Sequence, residues 1–153
     1  MISQTAEYAL RAVVFLGKYG GQSCTTADLA EQTAAPPSYL AKVLKGLNRA
    51  GIVDSQRGLH GGYRLVREPY DLTVLDVIRA VDGFHRIEHC PLGRAAHASA
   101  LCPLHRRIDN VIAEVENAFA QATIGDVLDE PGLLCDLPCV RDPLEESAES
   151  AHR

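Results

Sequence analysis

Residues 25–65 read TTADLAEQTAAPPSYLAKVLKGLNRAGIVDSQRGLHGGYRL. Thr26 is a good N-cap for a short helix whose Leu29 and Ala30 face inward. Pro36-Pro37 interrupts the pattern, because proline cannot continue a helix. Ser38 can cap a second helix, which places Leu40, Val43, Leu44 and Leu47 on one face. Gly51 ends that helix and Ile52-Val53 starts a strand. A glycine-rich turn over 58–62 returns the chain through Tyr63 and Leu65, which alternate with Arg64 and lead on to Arg67. Two helices with a brief break are helix-turn-helix grammar, and a hairpin directly after them is a wing.

Reading outward, apolar residues Ala6, Ala9, Leu10, Val13, Val14 and Leu16 fall at helical spacing over Thr5–Leu16. Gly20-Gly21 closes that helix. LTVLDVIRAVDG at 72–83 is another amphipathic helix with Thr73 as its cap. The longest helical pattern runs over 103–122, with Leu104, Ile108, Val111, Ile112, Val115, Ala118 and Phe119 on one stripe. The chain then passes LCDLPCV and ends in DPLEESAESAHR, which reads as a flexible acidic tail. The fold class is therefore mainly α, a winged helix-turn-helix domain followed by a long C-terminal helix.

The 153 residues carry a net charge of −5, but the charge is divided. Residues 1–70 hold eight Lys or Arg against five Asp or Glu, a balance of +3; residues 71–153 hold seven against fifteen, a balance of −8. The front half is the part suited to a polyanion. A hydrophobic share of 46% suits a globular chain, and no apolar run reaches the ~18 residues that span a bilayer. The N-terminal region is apolar only from Ala12 to Leu16, unlike a secretory leader, so the expected location is cytoplasmic with reduced thiols. The five cysteines, Cys24, Cys90, Cys102, Cys135 and Cys139, are an odd number and suit metal binding or redox sensing better than a disulfide scaffold. No phosphate-cradling loop, nucleophile elbow or paired-carboxylate signature supports an enzyme.

The second helix of such a unit enters the major groove of double-stranded DNA and presents its early residues to bases. The expected DNA contacts are Ser38, Tyr39 and Lys42 on that helix, with Lys45 and Arg49 further along for phosphates. Arg57 and His60 belong to the wing, where an arginine suits a narrow minor groove.

Residues 88–107, EHCPLGRAAHASALCPLHRR, hold two Cys-Pro-Leu units and the histidines His89, His97 and His105. A connection between two helices has no structural need for that set. The readings open at this point are an iron–sulfur site, a reversible thiol switch, zinc, or no sensor chemistry. Cys24, beside the Thr25-Thr26 cap, reads as a packed thiol. Cys135 and Cys139 read as bystanders, with extra ligands or redox thiols as the alternative.

Four pieces together resemble a known family: EYALRAVVFL at 7–16, the 25–65 segment, LTVLDVIRAVDG at 72–83 and the cysteine loop. They are similar to the small bacterial winged-helix regulators that include IscR, NsrR and RsrR, over about residues 1–125. The resemblance implies a homodimer joined through the 103–122 helix. It also implies an iron–sulfur cluster, [2Fe–2S] favoured. Members with a cluster usually carry three loop cysteines, and one branch adds a histidine. Laid on this chain, the outer positions are Cys90 and Cys102, the histidine is His105, and the middle position is Ala96. Histidine can replace cysteine at an iron. Some relatives borrow a carboxylate from the first helix of the other subunit, which here is Glu7; a neighbouring ligand position falls on Arg11, which cannot ligate. The implied ligand set is Cys90, Cys102, His105 and Glu7, with His89 and His97 as substitutes. The expected organisation is a DNA-binding domain over 1–83, a sensor loop over 84–102, a dimerisation helix over 103–128 and the tail over 129–153. The expected function is a dimeric transcriptional regulator sensing redox or iron–sulfur status; the alternative is a cluster-free regulator or interaction module with a decayed loop.

Overall fold

The computed structural model describes residues 2–58, 61–93 and 100–130. His60, Ala96, His97, Cys135, Cys139 and the acidic tail lie outside the described residues. The elements, in chain order, are α1 (Gln4–Lys18), α2 (Thr26–Thr33), α3 (Pro37–Arg49), β1 (Val53–Gln56), β2 (Gly62–Leu65), a single 3₁₀ turn (Pro69–Asp71), α4 (Val74–Val81), α5 (Pro103–Gln121) and α6 (Ile124–Asp129). The structure is mainly helical with a small two-stranded wing, as the sequence indicates.

Helix α1 is the hub, packed against α2, α3, α4, α6 and β2. Ala6, Ala9 and Ala12 are wholly buried on it, and their small side chains let neighbouring elements approach closely. Ser3 caps its N-terminus by accepting from the Ala6 N–H. Leu16, Leu29, Leu40, Leu44, Leu47, Ile52, Leu72, Ile78 and Ile124 complete one core.

Helix α2 is capped by Thr25 rather than Thr26. Thr25 Oγ1 accepts from the Asp28 N–H while the Asp28 carboxylate accepts from the Thr25 N–H, a reciprocal pair that satisfies two otherwise unpaired donors. The expected Ser38 cap is also corrected. Pro36 is the N-cap residue without a side-chain hydrogen bond, and Pro37 is the first helical residue. Proline's fixed φ fits that position and it has no N–H to satisfy, so Ser38 is released into the first turn, exposed.

The wing pairs Val53 with Leu65, Asp54 with Arg64, Ser55 with Tyr63 and Gln56 with Gly62. Cys24 adds a further rung: its N–H and C=O bond the Tyr63 C=O and N–H, each at 2.8 Å. This explains Gly62, because a Cβ there would lie 2.4 Å from the Cys24 carbonyl oxygen. The Cys24 thiol is buried at 1% exposure, which agrees with a packing role.

Thr73 caps α4 through a second reciprocal pair with Asp76. A third, Thr123 with Asp126, starts α6, a helix not anticipated from the sequence. The two caps lie side by side, bridged by Val74 N–H to Ala122 C=O (2.9 Å) and Ile124 N–H to Leu72 C=O (2.8 Å). The Tyr70 ring covers Gly125, where a Cβ would meet it at 2.2 Å, and its hydroxyl donates to Asp129 at 3.0 Å. The chain therefore turns after α5 and returns to α1.

No residue of the 19-residue helix α5 is buried. Its apolar side chains divide between two faces. Leu104 (61% exposed), Ile108 (42%), Val111 (59%) and Val115 (39%) form an outward stripe. Phe119, read as part of that stripe, instead packs on the core and meets Phe84 edge to face at 6.1 Å. His105, Asp109, Ile112, Glu116 and Phe119 share the inner face at spacings of three and four residues, each half-buried.

Candidate nucleic-acid interface and metal centre

Helix α3 is strongly two-faced. Leu40, Val43, Leu44 and Leu47 are buried, while Ser38, Lys42, Lys45 and Arg49 are exposed and, at spacings of four, three and four, form a single outward stripe. Arg57 is exposed where β1 leaves the sheet. These cations therefore stand on α3 and the wing. Tyr39 lies at the flank of the stripe. Its hydroxyl shares a hydrogen bond with Thr5 Oγ1, and its ring meets Tyr8 edge to face at 5.8 Å. Tyr39 thus fastens α3 to the first turn of α1, a role the sequence reading missed.

Elsewhere in the molecule, Cys90, Cys102 and His105 come together. Their ligand atoms all lie within 4.8 Å of one another. His105 Nδ1 stands 3.2 Å from Cys102 Sγ and 3.6 Å from Cys90 Sγ. Local sequence builds most of this. Cys102 is the N-cap residue of α5, Pro103 is the first helical residue, and His105 follows within the same turn. Cys102 is buried and Cys90 half-buried.

Glu7 does not join this group among the described residues. It lies on α1, 2.7 Å from Arg11 Nη2, and Arg11 also donates to the Thr33 carbonyl at 3.1 Å. Arg11, at a position where the resemblance has a ligand, therefore fastens α1 to the end of α2. His89 lies beside Cys90 and is exposed.

The donor chemistry fits iron–sulfur or zinc: two thiols and an imidazole, with no hard oxygen ligand. A [2Fe–2S] centre takes four protein ligands, so this group is one short of a full set.

A further network was not legible. Arg86 forks onto Asp109 with bonds of 2.7 and 2.6 Å, and the Ile87 N–H donates to the same carboxylate at 2.9 Å. Those two interactions, the Arg86 pairing first, hold the Asp109 carboxyl down at about 2. Arg79 of α4 pairs with Glu116, and Arg86 approaches Glu116 at 3.9 Å. The segment leading to Cys90 is thus tied to α5 one turn below His105, and α4 is tied two turns further on. The only sequence signal was that His105, Asp109 and Glu116 share a helix face; nothing local named their arginine partners.

A winged helix-turn-helix with a cationic reading face, joined to a sulfur–imidazole centre, defines a class of DNA-binding regulators. The chain belongs to the Rrf2 family, iron-dependent transcriptional regulators, whose pattern it matches over residues 2–130. It is 34% identical over 126 residues to a Rhodobacter capsulatus protein named as an rrf2-like HTH-type transcriptional regulator, covering 75% of this chain and 81% of that one. It is 29% identical over 135 residues to the HTH-type transcriptional regulator IscR of Vibrio atlanticus, covering 87% and 78%. The solved structure of T. potens IscR shares the fold, with a TM-score of 0.68 at 24% identity, covering 100% of this chain and 91% of that one. The protein is accordingly a transcriptional regulator of a DNA-binding family. No helix among the described residues is long and apolar enough to cross a membrane.

Proposed function

We propose that the protein is a cytoplasmic homodimer that binds a two-half-site operator and reports iron–sulfur or redox status through Cys90, Cys102 and His105. The observation that carries this reading is the convergence of those three donors at the N-terminus of α5. In the full assembly they would hold a [2Fe–2S] centre, with Glu7 of a second copy as the fourth donor. Incomplete thiolate ligation would give such a centre lability and a raised potential, both suited to sensing.

The remaining steps belong to the chain itself. Ser38, Lys42, Lys45 and Arg49 face the operator from α3, Tyr39 holds that helix to α1, and Arg57 and His60 act from the wing. Cys102 and His105 set the position of the first turn of α5, and Cys90 ties the preceding segment to it. Arg86–Asp109 and Arg79–Glu116 carry that position to α4, which packs on both α1 and α3. A change at the first turn of α5 would therefore shift the frame on which α3 is mounted, a two-state coupling in which both sites bias one element.

Oxygen-free purification with iron and sulfide analysis tests the reading. Wild type should carry iron and visible absorption, and Cys90→Ser and Cys102→Ser should lose both. A colourless, iron-free wild type overturns it. The second reading, favoured by two thiols within 4.8 Å, is a reversible Cys90–Cys102 disulfide. A peroxide-class oxidant would take two electrons and two protons from the pair as the S–S bond forms. It fails if both serine variants keep the wild-type oxidant response in DNA binding.

A further inference from the structure

The spacing of the three donors is that of ligands around one ion. A tetrahedral ion with metal–sulfur bonds of ~2.3 Å and metal–nitrogen bonds of ~2.0–2.1 Å holds sulfur ~3.5 Å from nitrogen and ~3.8 Å from a second sulfur. Here His105 Nδ1 lies 3.2 and 3.6 Å from the two sulfurs, and every pair is within 4.8 Å. Two thiolates and a neutral imidazole also cancel the charge of a divalent cation, in a setting with no carboxylate in the group.

We infer that, when no cluster is assembled, Cys90, Cys102 and His105 hold a single thiophilic divalent cation of the zinc type, with the fourth position open to water. This rests on the proposed reading of these three side chains as one site, but not on the cluster. Binding releases the two thiol protons. The ion needs neither sulfide nor a fourth protein donor, so it competes with cluster assembly for the same residues. Its structural effect is a clasp: Cys90 is drawn onto the first turn of α5, one turn from the existing Arg86–Asp109 tie. The occupied chain therefore has Cys90 fixed to α5 without any redox centre, a second state for the regulator set by metal supply.

The test uses full-length, reduced, metal-free protein titrated without oxygen with cobalt(II), then with zinc(II). The expected result is intense tetrahedral cobalt absorption with a thiolate charge-transfer band, saturating at one ion per chain and bleached by zinc. Cys90→Ser, Cys102→Ser and His105→Ala should each weaken binding by more than the ~10–100-fold that outer-shell changes cost. Circular dichroism of each variant separates lost ligation from lost folding. Cys135→Ser/Cys139→Ser and His89→Ala should bind as wild type does. A weak octahedral cobalt spectrum overturns the inference, as does binding that follows Cys135 and Cys139. Parallel reconstitution with iron and sulfide keeps the two ideas separate. A cluster without a cobalt site sinks this inference alone, and a cobalt site without a cluster sinks the cluster reading alone.

Discussion

Asp109 receives three hydrogen bonds, two from the Arg86 guanidinium and one from the Ile87 N–H. All favour its ionised form, which places its carboxyl at about 2 instead of the ordinary 3.8. The folded value is lowered, so the stabilisation is present above 3.8 and is lost as the pH falls through about 2. NMR titration should show the Asp109 carboxyl changing near pH 2 with the Ile87 amide shifting in step, and in Arg86→Ala the midpoint should move up toward 3.8. A wild-type midpoint already at 3.8 would show that the tie does not form in solution. Arg57 is a different case, exposed at the end of β1. If it enters a groove, Arg57→Ala should cost ~1–3 kcal/mol of operator affinity. Anisotropy titration with unchanged affinity would remove the wing from the interface. Tyr39 shows what a sequence reading of such contacts leaves out: its place on the helix suggests DNA, and its hydroxyl and ring are also engaged by Thr5 and Tyr8.

At the scale of elements, periodicity and caps were legible wherever the causes were local. α3 and α4 follow their apolar spacing, and Thr73 caps α4 as read. The misses have physical reasons. Thr25 and Thr26 are equally good caps by residue type, and only Thr25 is three residues before Asp28, which completes the reciprocal pair. α6 is six residues long, too short for a periodic signal, and exists because its cap docks beside that of α4. In the candidate metal centre, Cys102 and His105 were legible as neighbours on one helical turn. Cys90, by contrast, follows a segment held to α5 by an ion pair spanning 23 residues, which no local pattern encodes. Gly62 gives an element-scale test. A Cβ at this position would press the Cys24 carbonyl at 2.4 Å, so Gly62→Ala must open the Cys24–Tyr63 rung or shift β2. We expect a loss of ~1–3 kcal/mol, the usual cost of overpacking, read as a lower urea midpoint. An unchanged midpoint would mean that the rung contributes nothing to holding the wing on α2.

For the whole molecule, the decisive feature is a 19-residue helix with no buried residue and an apolar stripe at 61, 42, 59 and 39% exposure. Isolated helices draw most of their stability in proteins from packing one apolar face, yet the inner face of α5 is largely polar, with His105, Asp109 and Glu116. Leu104, Ile108, Val111 and Val115 thus lack cover among the described residues, and a contiguous patch of this kind marks an interaction surface. A second copy is the occupant the proposed function requires, because two recognition helices must meet successive major grooves about 34–36 Å apart. The same stripe on two chains is self-complementary, as a two-fold interface demands. Val115→Glu would set a carboxylate against its symmetry mate in an apolar seam, where an unpaired charge is costly. Sedimentation should then show monomers, and operator binding should fall sharply because one half-site replaces two, while circular dichroism stays that of the folded chain. A wild type that sediments as a monomer at micromolar concentration would end the two-half-site reading, and the exposed stripe would then belong to a different partner protein.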